Sequence, residues 1–463
     1  MITENLAGSY LHAPMSAVCS GSDSPKAKAN AENRERRQAL LGTTEASTQN
    51  DSAAFSRALW NLQRVMWSVT KDKTLAGCHR WRAPNSGLVS LDWSPLQTKF
   101  GGLQNSNSVW GSPVASARIG RLRADEVGRA LGNWVDDDDE NDVAFLTLTL
   151  RHNRTQSLKS VWDCIAKCWN SLTRSASWRG TAKYAGDVDK YGIEHWIKST
   201  EVTYGENGWH VHLHVLLLLN KPLTSKDREK LESRIYKRWS AAAKRRGFVA
   251  PSRERGVKLD LAVEKKDVEA LGAYLTKGQL NGIDGLAHEL TSGQVVKTAR
   301  NGNMSPFQLL AVIDDKRKGQ EDYSRELAAW LEWEKGSKGR RQLNWSRGAK
   351  DALGVHDLDD AELLENEDEL IDSTAHTVAV FTPNDWREIQ SDVEKRSYIV
   401  EYVGKSSTPE HAKKRAERIL KQLGVGFQSI LAEHSKPSDY AKTPESPGRS
   451  GLEDSSVTAS RTV

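Results

Sequence analysis

Residues 209–219 read WHVHLHVLLLL, three histidines on alternate positions followed by an unbroken apolar run. An extended chain turns successive side chains to opposite faces, so His210, His212 and His214 share one side of a strand. Leu216 to Leu219 are apolar on both sides, which a strand tolerates only where both faces are covered. The chain must therefore contain a sheet with a central, deeply buried strand that turns imidazoles to one face.

The partner strand lies just upstream. IEHWIKSTEVTY (Ile193 to Tyr204) is rich in strand formers, and GENG (205–208) is a turn, so the two runs form an antiparallel hairpin. A loop closed by Gly205 and Gly208 sets Glu201 opposite His212 and Ser199 opposite His214. A slip of two residues sets Glu201 opposite His214 instead, and only a one-residue slip would turn the carboxylate away. Two imidazoles and a carboxylate with positions left open suit a divalent metal that also holds substrate oxygens. Without a metal, the same groups would make a pH-sensitive hydrogen-bond cluster. His210 lies farther toward the turn, as a reserve ligand, a phosphate contact or a hairpin-end residue; His152 could approach from the end of the first strand.

Around the hairpin, VAFLTLTL (Val143 to Leu150) reads as a strand, and apolar residues spaced by three and four make Thr155 to Thr173 an amphipathic helix. Thr224 and Asp227 open a basic helix that closes on Gly247. VKLDLAV (Val257 to Val263) alternates as a strand, and Lys266 to Gly278 is a short helix ended by glycine. Strand, helix, strand, strand, helix, strand gives an α+β fold with a ferredoxin-like antiparallel sheet backed by helices. In the last helix Tyr274 and Lys277 stand three apart and share a face. Spacing alone reads them as a packed aromatic and a surface lysine; their helix follows a strand expected to join the histidine sheet.

The organisation expected of the 463 residues is a disordered segment over 1–52, an accessory region over 53–135, the sheet domain over 143–280, a helical extension over 281–355, a small α/β region over 356–434 and a disordered tail over 435–463. Val135 to Asp142, VDDDDEND, reads as a solvated loop. The four cysteines give no disulfide framework, and Cys164 and Cys168 are expected to be small core residues. No stretch reaches the roughly 18 apolar residues that span a bilayer, and the start lacks the pattern of a signal peptide, so a soluble cytoplasmic protein is expected. Net charge is +5, but residues 151–280 hold 25 Lys and Arg against 14 Asp and Glu, an excess of 11 that leaves −6 for the rest. The basic excess surrounds the histidines, as for a domain that meets nucleic acid.

FLTLTLRH, GWHVHLHVLLL and LGAYLTKG resemble, in order, the three motifs of the HUH endonucleases, most closely the rolling-circle replication initiators of small bacterial plasmids. GSKGRRQLNWSRGAKDALG (336–354) resembles a stretch that follows the nuclease domain in actinobacterial members. The resemblance covers roughly residues 77–355. It implies that His212, His214 and Glu201 bind Mg²⁺ or Mn²⁺, that Tyr274 is the nucleophile with Lys277 beside it, and that origin DNA is nicked through a 5′-phosphotyrosyl link. Arg238, Lys244, Arg245 and Arg246 of the basic helix, with Arg253 and Arg255, would then hold the DNA backbone, and a host helicase and polymerase would be partners. Two departures stand out. Ser106, Ser112 and Ala115 occupy positions where many relatives carry cysteines, leaving Cys78 as a remnant; and Ala270 stands one turn before the tyrosine, where some keep a glutamate, while Glu269 points elsewhere. HVHLH also fits the histidine-triad nucleotide hydrolases, with His212 as nucleophile, and a non-catalytic DNA-binding regulator of the same fold is a further alternative.

Overall fold

In the computed structural model, residues 46–261 and 303–433 are described. Contacts divide the chain at Asn50/Asp51, and everything that follows concerns the second unit. In chain order its principal elements are α1 (Ala46–Val69), β1 (Val89–Trp93), β2 (Thr98–Gly101), α2 (Pro113–Asp137), β3 (Asp142–Thr149), α3 (Leu158–Thr173), β4 (Ile193–Gly205), β5 (Gly208–Leu219), α4 (Ser225–Lys244) and β6 (Val257–Leu261). After residue 303 come α5 (Pro306–Lys318), α6 (Ser324–Ser337), β7 (Leu343–Trp345), α7 (Asp360–Asp372), β8 (His376–Phe381), α8 (Val393–Gly404), α9 (Pro409–Gln422) and β9 (Gln428–Glu433). α1 begins inside the segment expected to lack order.

The sequence of strands and helices from β3 to β6 closes into an antiparallel sheet of order β6-β3-β5-β4, with β7 added on the outer edge of β4. This is the ferredoxin-like arrangement, in which each helical crossover skips over one intervening strand. β5 is paired along its length on both sides, from Asp142↔Leu219 to Thr149↔His212 on β3 and to Gly205↔Gly208 on β4. The hairpin closes in the glycine-to-glycine register: Glu201 faces His212, and Ser199 faces His214. Gly208 takes φ 81°, left-handed backbone that a side chain resists, and a Cβ there would meet Arg154 Cα at 3.3 Å.

Burial explains the leucine run. Val211, Leu213, Val215, Leu217 and Leu219 join the core formed with α3 and α4, among them Val161, Ile165, Ile235 and Trp239. On the other face Leu216 and Leu218 pack with Val127, Leu131 and Trp134 of α2 and with Leu353. Each fully buried leucine contributes roughly 1.5–3 kcal/mol, whereas one hydrogen bond to a charged group contributes about 1.5–3 kcal/mol. Leu216 to Leu219 together therefore fix the strand, and the polar groups of the histidine face are free to serve another purpose.

At the turn end, Trp333 of α6 meets Trp110, Trp162 and Trp209 at centroid distances of 5.4, 6.0 and 5.8 Å, and Trp209 Nε1 donates to Glu332 at 2.9 Å. A second sheet, of order β2-β1-β8-β9, has its own core around Leu91, Phe381, Trp386 and Ile419. Strands from the regions drawn separately as 53–135 and 356–434 thus share one sheet. Cys164 and Cys168 are buried, as expected, with sulfurs 4.0 Å apart. The Asp136 to Glu140 run is exposed, its first two aspartates closing α2.

Candidate metal centre on the histidine face

Period-two alternation places His210, His212 and His214 on the sheet face opposite α3 and α4. From β4 the same face receives Ser199, Glu201 and Thr203, each opposite a histidine. His214 Nε2 and Glu201 Oε2 are 2.8 Å apart. Behind that contact, Thr147 Oγ1 stands 3.3 Å from His214 Nδ1 and Phe145 stacks on the ring at 5.4 Å and 12°, so β3 fixes the orientation of the imidazole. Such outer contacts hold a ligating ring in one pose.

His212 is the informative residue. Its Nε2 is buried and has no hydrogen-bond partner among the described residues. Burial, reinforced by His210, His214 and His152, holds its pKa well below the ordinary imidazole value. The ring is therefore neutral at physiological pH, the form that ligates a metal. A buried nitrogen without a partner is costly unless something fills the gap. One ligand atom from each of Glu201, His212 and His214 lies within 4.8 Å of the other two. Two ligands of an octahedral ion at about 2.1 Å are roughly 3 Å apart when cis and roughly 4.2 Å when trans. Small rotations of these side chains would close the set, and two nitrogens with one carboxylate oxygen suit a divalent ion that keeps open positions.

His210 does more than end the hairpin. Its Nδ1 is 2.5 Å from His152 Nε2, and His152 Nδ1 is 3.1 Å from the carbonyl of Asn207. The His210 and His212 rings stand edge to face at 4.0 Å. Burial and then His152 bring His210 down to about 4, and burial lowers His152 as well. Four imidazoles thus form one uncharged row. Phe145 and Thr147 were not singled out from sequence, although the alternation of FLTLTL already put them on one face.

The basic residues are divided by the fold. α4 packs on the face opposite the histidines. Arg238 binds the buried Asp187, which also holds Arg234 Nε at 2.6 Å. Arg246 donates to Ala242 O at 2.8 Å, Lys167 O at 3.1 Å and Ser171 Oγ at 2.6 Å. Arg238 and Arg246 are struts between elements. Lys244 and Arg245 are exposed at the end of α4. Arg253 pairs with Glu232 at 2.9 Å and lies over Tyr236. Arg255 is exposed where β6 begins, and its carbonyl accepts from Thr149 Oγ1 at 2.6 Å, one strand away from His212. The signal was available in the strand: its odd positions are apolar throughout, so the helices belong there.

Tyr274, Lys277, Ala270 and Glu269 lie outside the described residues. The chain leaves β6 at Leu261 and is described again from Asn303, beside the hairpin turn, where Met304 bridges to Tyr204. Cys78 is buried against Ser112 and the backbone of Ser106, and burial pushes its thiol up to about 12. The residues named as replaced cysteine positions do surround Cys78, with hydroxyls where thiolates would be needed for zinc.

Fold and site together define a ferredoxin-like domain with a two-histidine, one-carboxylate cluster on its open face. Residues 111–244 match the family described as replication protein. The chain is also 27% identical over 333 residues to the curated "Protein rep" of Streptomyces lividans, a similarity that covers 61% of this chain and 71% of that protein. No solved structure matches. Both similarities are to replication proteins, so the resemblance read from the sequence holds and supports a plasmid replication initiator.

Proposed function

We propose that this chain starts rolling-circle replication of a plasmid by nicking, and later rejoining, single-stranded origin DNA. The observation that carries the reading is the buried, unpartnered Nε2 of His212 beside His214 and Glu201, on a chain similar to replication proteins. His212, His214 and Glu201 would hold Mg²⁺ or Mn²⁺, which supplies Lewis-acid polarisation of a nonbridging phosphate oxygen when bound. Thr147 and Phe145 keep His214 in the ligating pose, and the neutral imidazole row adds no repulsion toward a cation. Tyr274 is the proposed nucleophile. Its phenolate oxygen forms a bond to phosphorus as the bond to the 3′ oxygen breaks, which leaves a 5′-phosphotyrosyl link and a 3′-hydroxyl that takes up a proton. An unperturbed phenol titrates near 10, and the Lys277 ammonium would favour its ionised form. A host polymerase would extend the 3′ end behind a helicase. No helix among the described residues is long and apolar enough to cross a membrane, consistent with work on cytoplasmic DNA.

The test is a denaturing gel of the protein after incubation with end-labelled origin single strand and Mn²⁺. A label that migrates with the protein, and is lost when EDTA is added first, is the expected result. Absence of adduct on a cleavable origin strand, or indifference to EDTA, overturns the proposal.

A second prediction separates the arginines. Arg255→Gln is expected to lower the slope of log affinity against log salt by about one, as loss of a single phosphate contact does. Arg238→Gln is expected to leave that slope unchanged and to lower the melting temperature, because it strips Asp187 of a partner. Equal slopes for Arg255→Gln and the parent would remove Arg255 from the DNA surface.

A further inference from the structure

Far along the chain from the histidine row, α1, β2, α2, α7 and α8 enclose a cavity of about 330 Å³. That is the low end of the volumes that hold small ligands. Trp60 and Phe100 supply an aromatic wall, and His79, Thr98 and Arg396 also line the space. The polar atoms of these last three are what set the cavity apart. His79 Nε2, Thr98 Oγ1 and Arg396 Nε are buried with no hydrogen-bond partner among the described residues. Arg396 is 4% exposed, donates from Nη1 to the Gln390 carbonyl at 3.0 Å, and is otherwise stacked with Trp60, Trp386 and Phe100 at 4.9, 5.0 and 5.5 Å. No ion pair to it occurs among the described residues, and burial lowers its pKa to about 9. His79 is held in left-handed backbone at φ 54°, which a non-glycine residue seldom adopts outside a site that needs it. Burial, with Arg118 and Arg396 nearby, brings it down to about 3, so its ring is neutral.

The other charges decide what fits. Lys99 is already bound to Asp368 and Asp372 at 3.0 and 2.9 Å, and Arg118 to Glu367 and Asp368 at 3.0 Å. With Asp92 and Glu401 also on the lining, a phosphate would meet more negative than positive charge. A neutral, planar molecule with a carbonyl for Arg396 and an N–H for His79 would meet none of that repulsion. We propose that this cavity binds a single nucleobase, stacked on the Trp60 and Phe100 wall, with its carbonyl accepting from Arg396 Nε and its ring N–H donating to His79 Nε2. Thymine and guanine carry a carbonyl beside an N–H; adenine carries no carbonyl. The choice of a nucleobase over another planar amide rests on the similarity to replication proteins and needs neither metal nor nicking. The base could come from a free nucleoside or from one unstacked nucleotide of a strand.

The full-length protein, in EDTA so that cleavage is silent, is titrated by calorimetry with thymidine, deoxyguanosine, deoxyadenosine, and eight-residue oligo(dT) and oligo(dA). Expected is binding of thymidine or deoxyguanosine, or of oligo(dT), stronger than that of the adenine counterpart by roughly tenfold, the worth of one base contact. Ser56→Trp, at the exposed rim, is expected to abolish this preference without touching the core, and Arg396→Met to do the same if it folds. Oligo(dT) bound more tightly than thymidine assigns the cavity to a strand; equal affinities assign it to free nucleoside. No preference for thymine or guanine, or a preference intact in Ser56→Trp, overturns the proposal. A preference lost in His212→Ala overturns it too, because the base would then sit at the histidine face; failure of nicking with the preference retained leaves it standing.

Discussion

Alanine at His212 is expected to lower Mn²⁺-dependent cleavage of origin single strand by at least roughly 100-fold, because loss of even an outer contact to a metal ligand costs 10–100-fold and His212 would be a direct ligand. The fold should survive. The imidazole is fixed by strand position and not by hydrogen bonds from its Nε2, and removal of a buried unpartnered nitrogen relieves a desolvation cost. A circular dichroism spectrum and melting temperature close to those of the parent should therefore accompany the loss. Mn²⁺ titration by calorimetry or electron paramagnetic resonance gives a readout independent of cleavage, with binding weakened in parallel. Unchanged Mn²⁺ affinity in His212→Ala would remove the metal from this site. Loss of activity with no metal binding in the parent would favour His212 as a nucleophile in its own right, the alternative chemistry that HVHLH allows.

Phenylalanine at Tyr274 is expected to abolish the covalent adduct entirely while binding of Mn²⁺ and of uncleaved origin strand stays within about twofold, since one hydroxyl is removed and uniform binding is retained. The ring keeps its bulk, so packing offers no competing explanation. Lys277→Ala should instead slow adduct formation and shift its pH profile upward, as more alkali is then needed to ionise the phenol. If Tyr274→Phe still forms adduct, the nucleophile is another residue. Lys277→Ala with an unshifted profile would assign that ammonium to the phosphate instead of the phenol.

Much of the cluster was legible because it rests on local rules. Alternation put His212 and His214 on one face, and two glycines around a short loop set Glu201 against them, since a hairpin register depends on its turn. The ferredoxin-like order followed from the run of strand and helix signals for the same reason. Less legible were contacts whose partners are distant in sequence. His152 meets His210 across 58 residues, and Asp187 captures Arg234 and Arg238 across 47 and 51. Nothing in the local pattern of α4 distinguishes an arginine that braces the fold from one that faces solvent, so Arg238 and Arg246 read as a DNA surface until their partners were seen.

The sequence by itself determined the central strand, the hairpin and the shared face of Glu201, His212 and His214, because periodicity and turn chemistry act over a few residues. Only the tertiary structure decided that α2 covers Leu216 and Leu218 on the histidine side, that β1 and β2 join β8 and β9 in one sheet, and that His79 and Arg396 meet at a cavity. Those outcomes depend on which distant apolar surfaces bury one another. Many segments have an apolar face to offer, and the pairing is settled by the total fit of the folded chain.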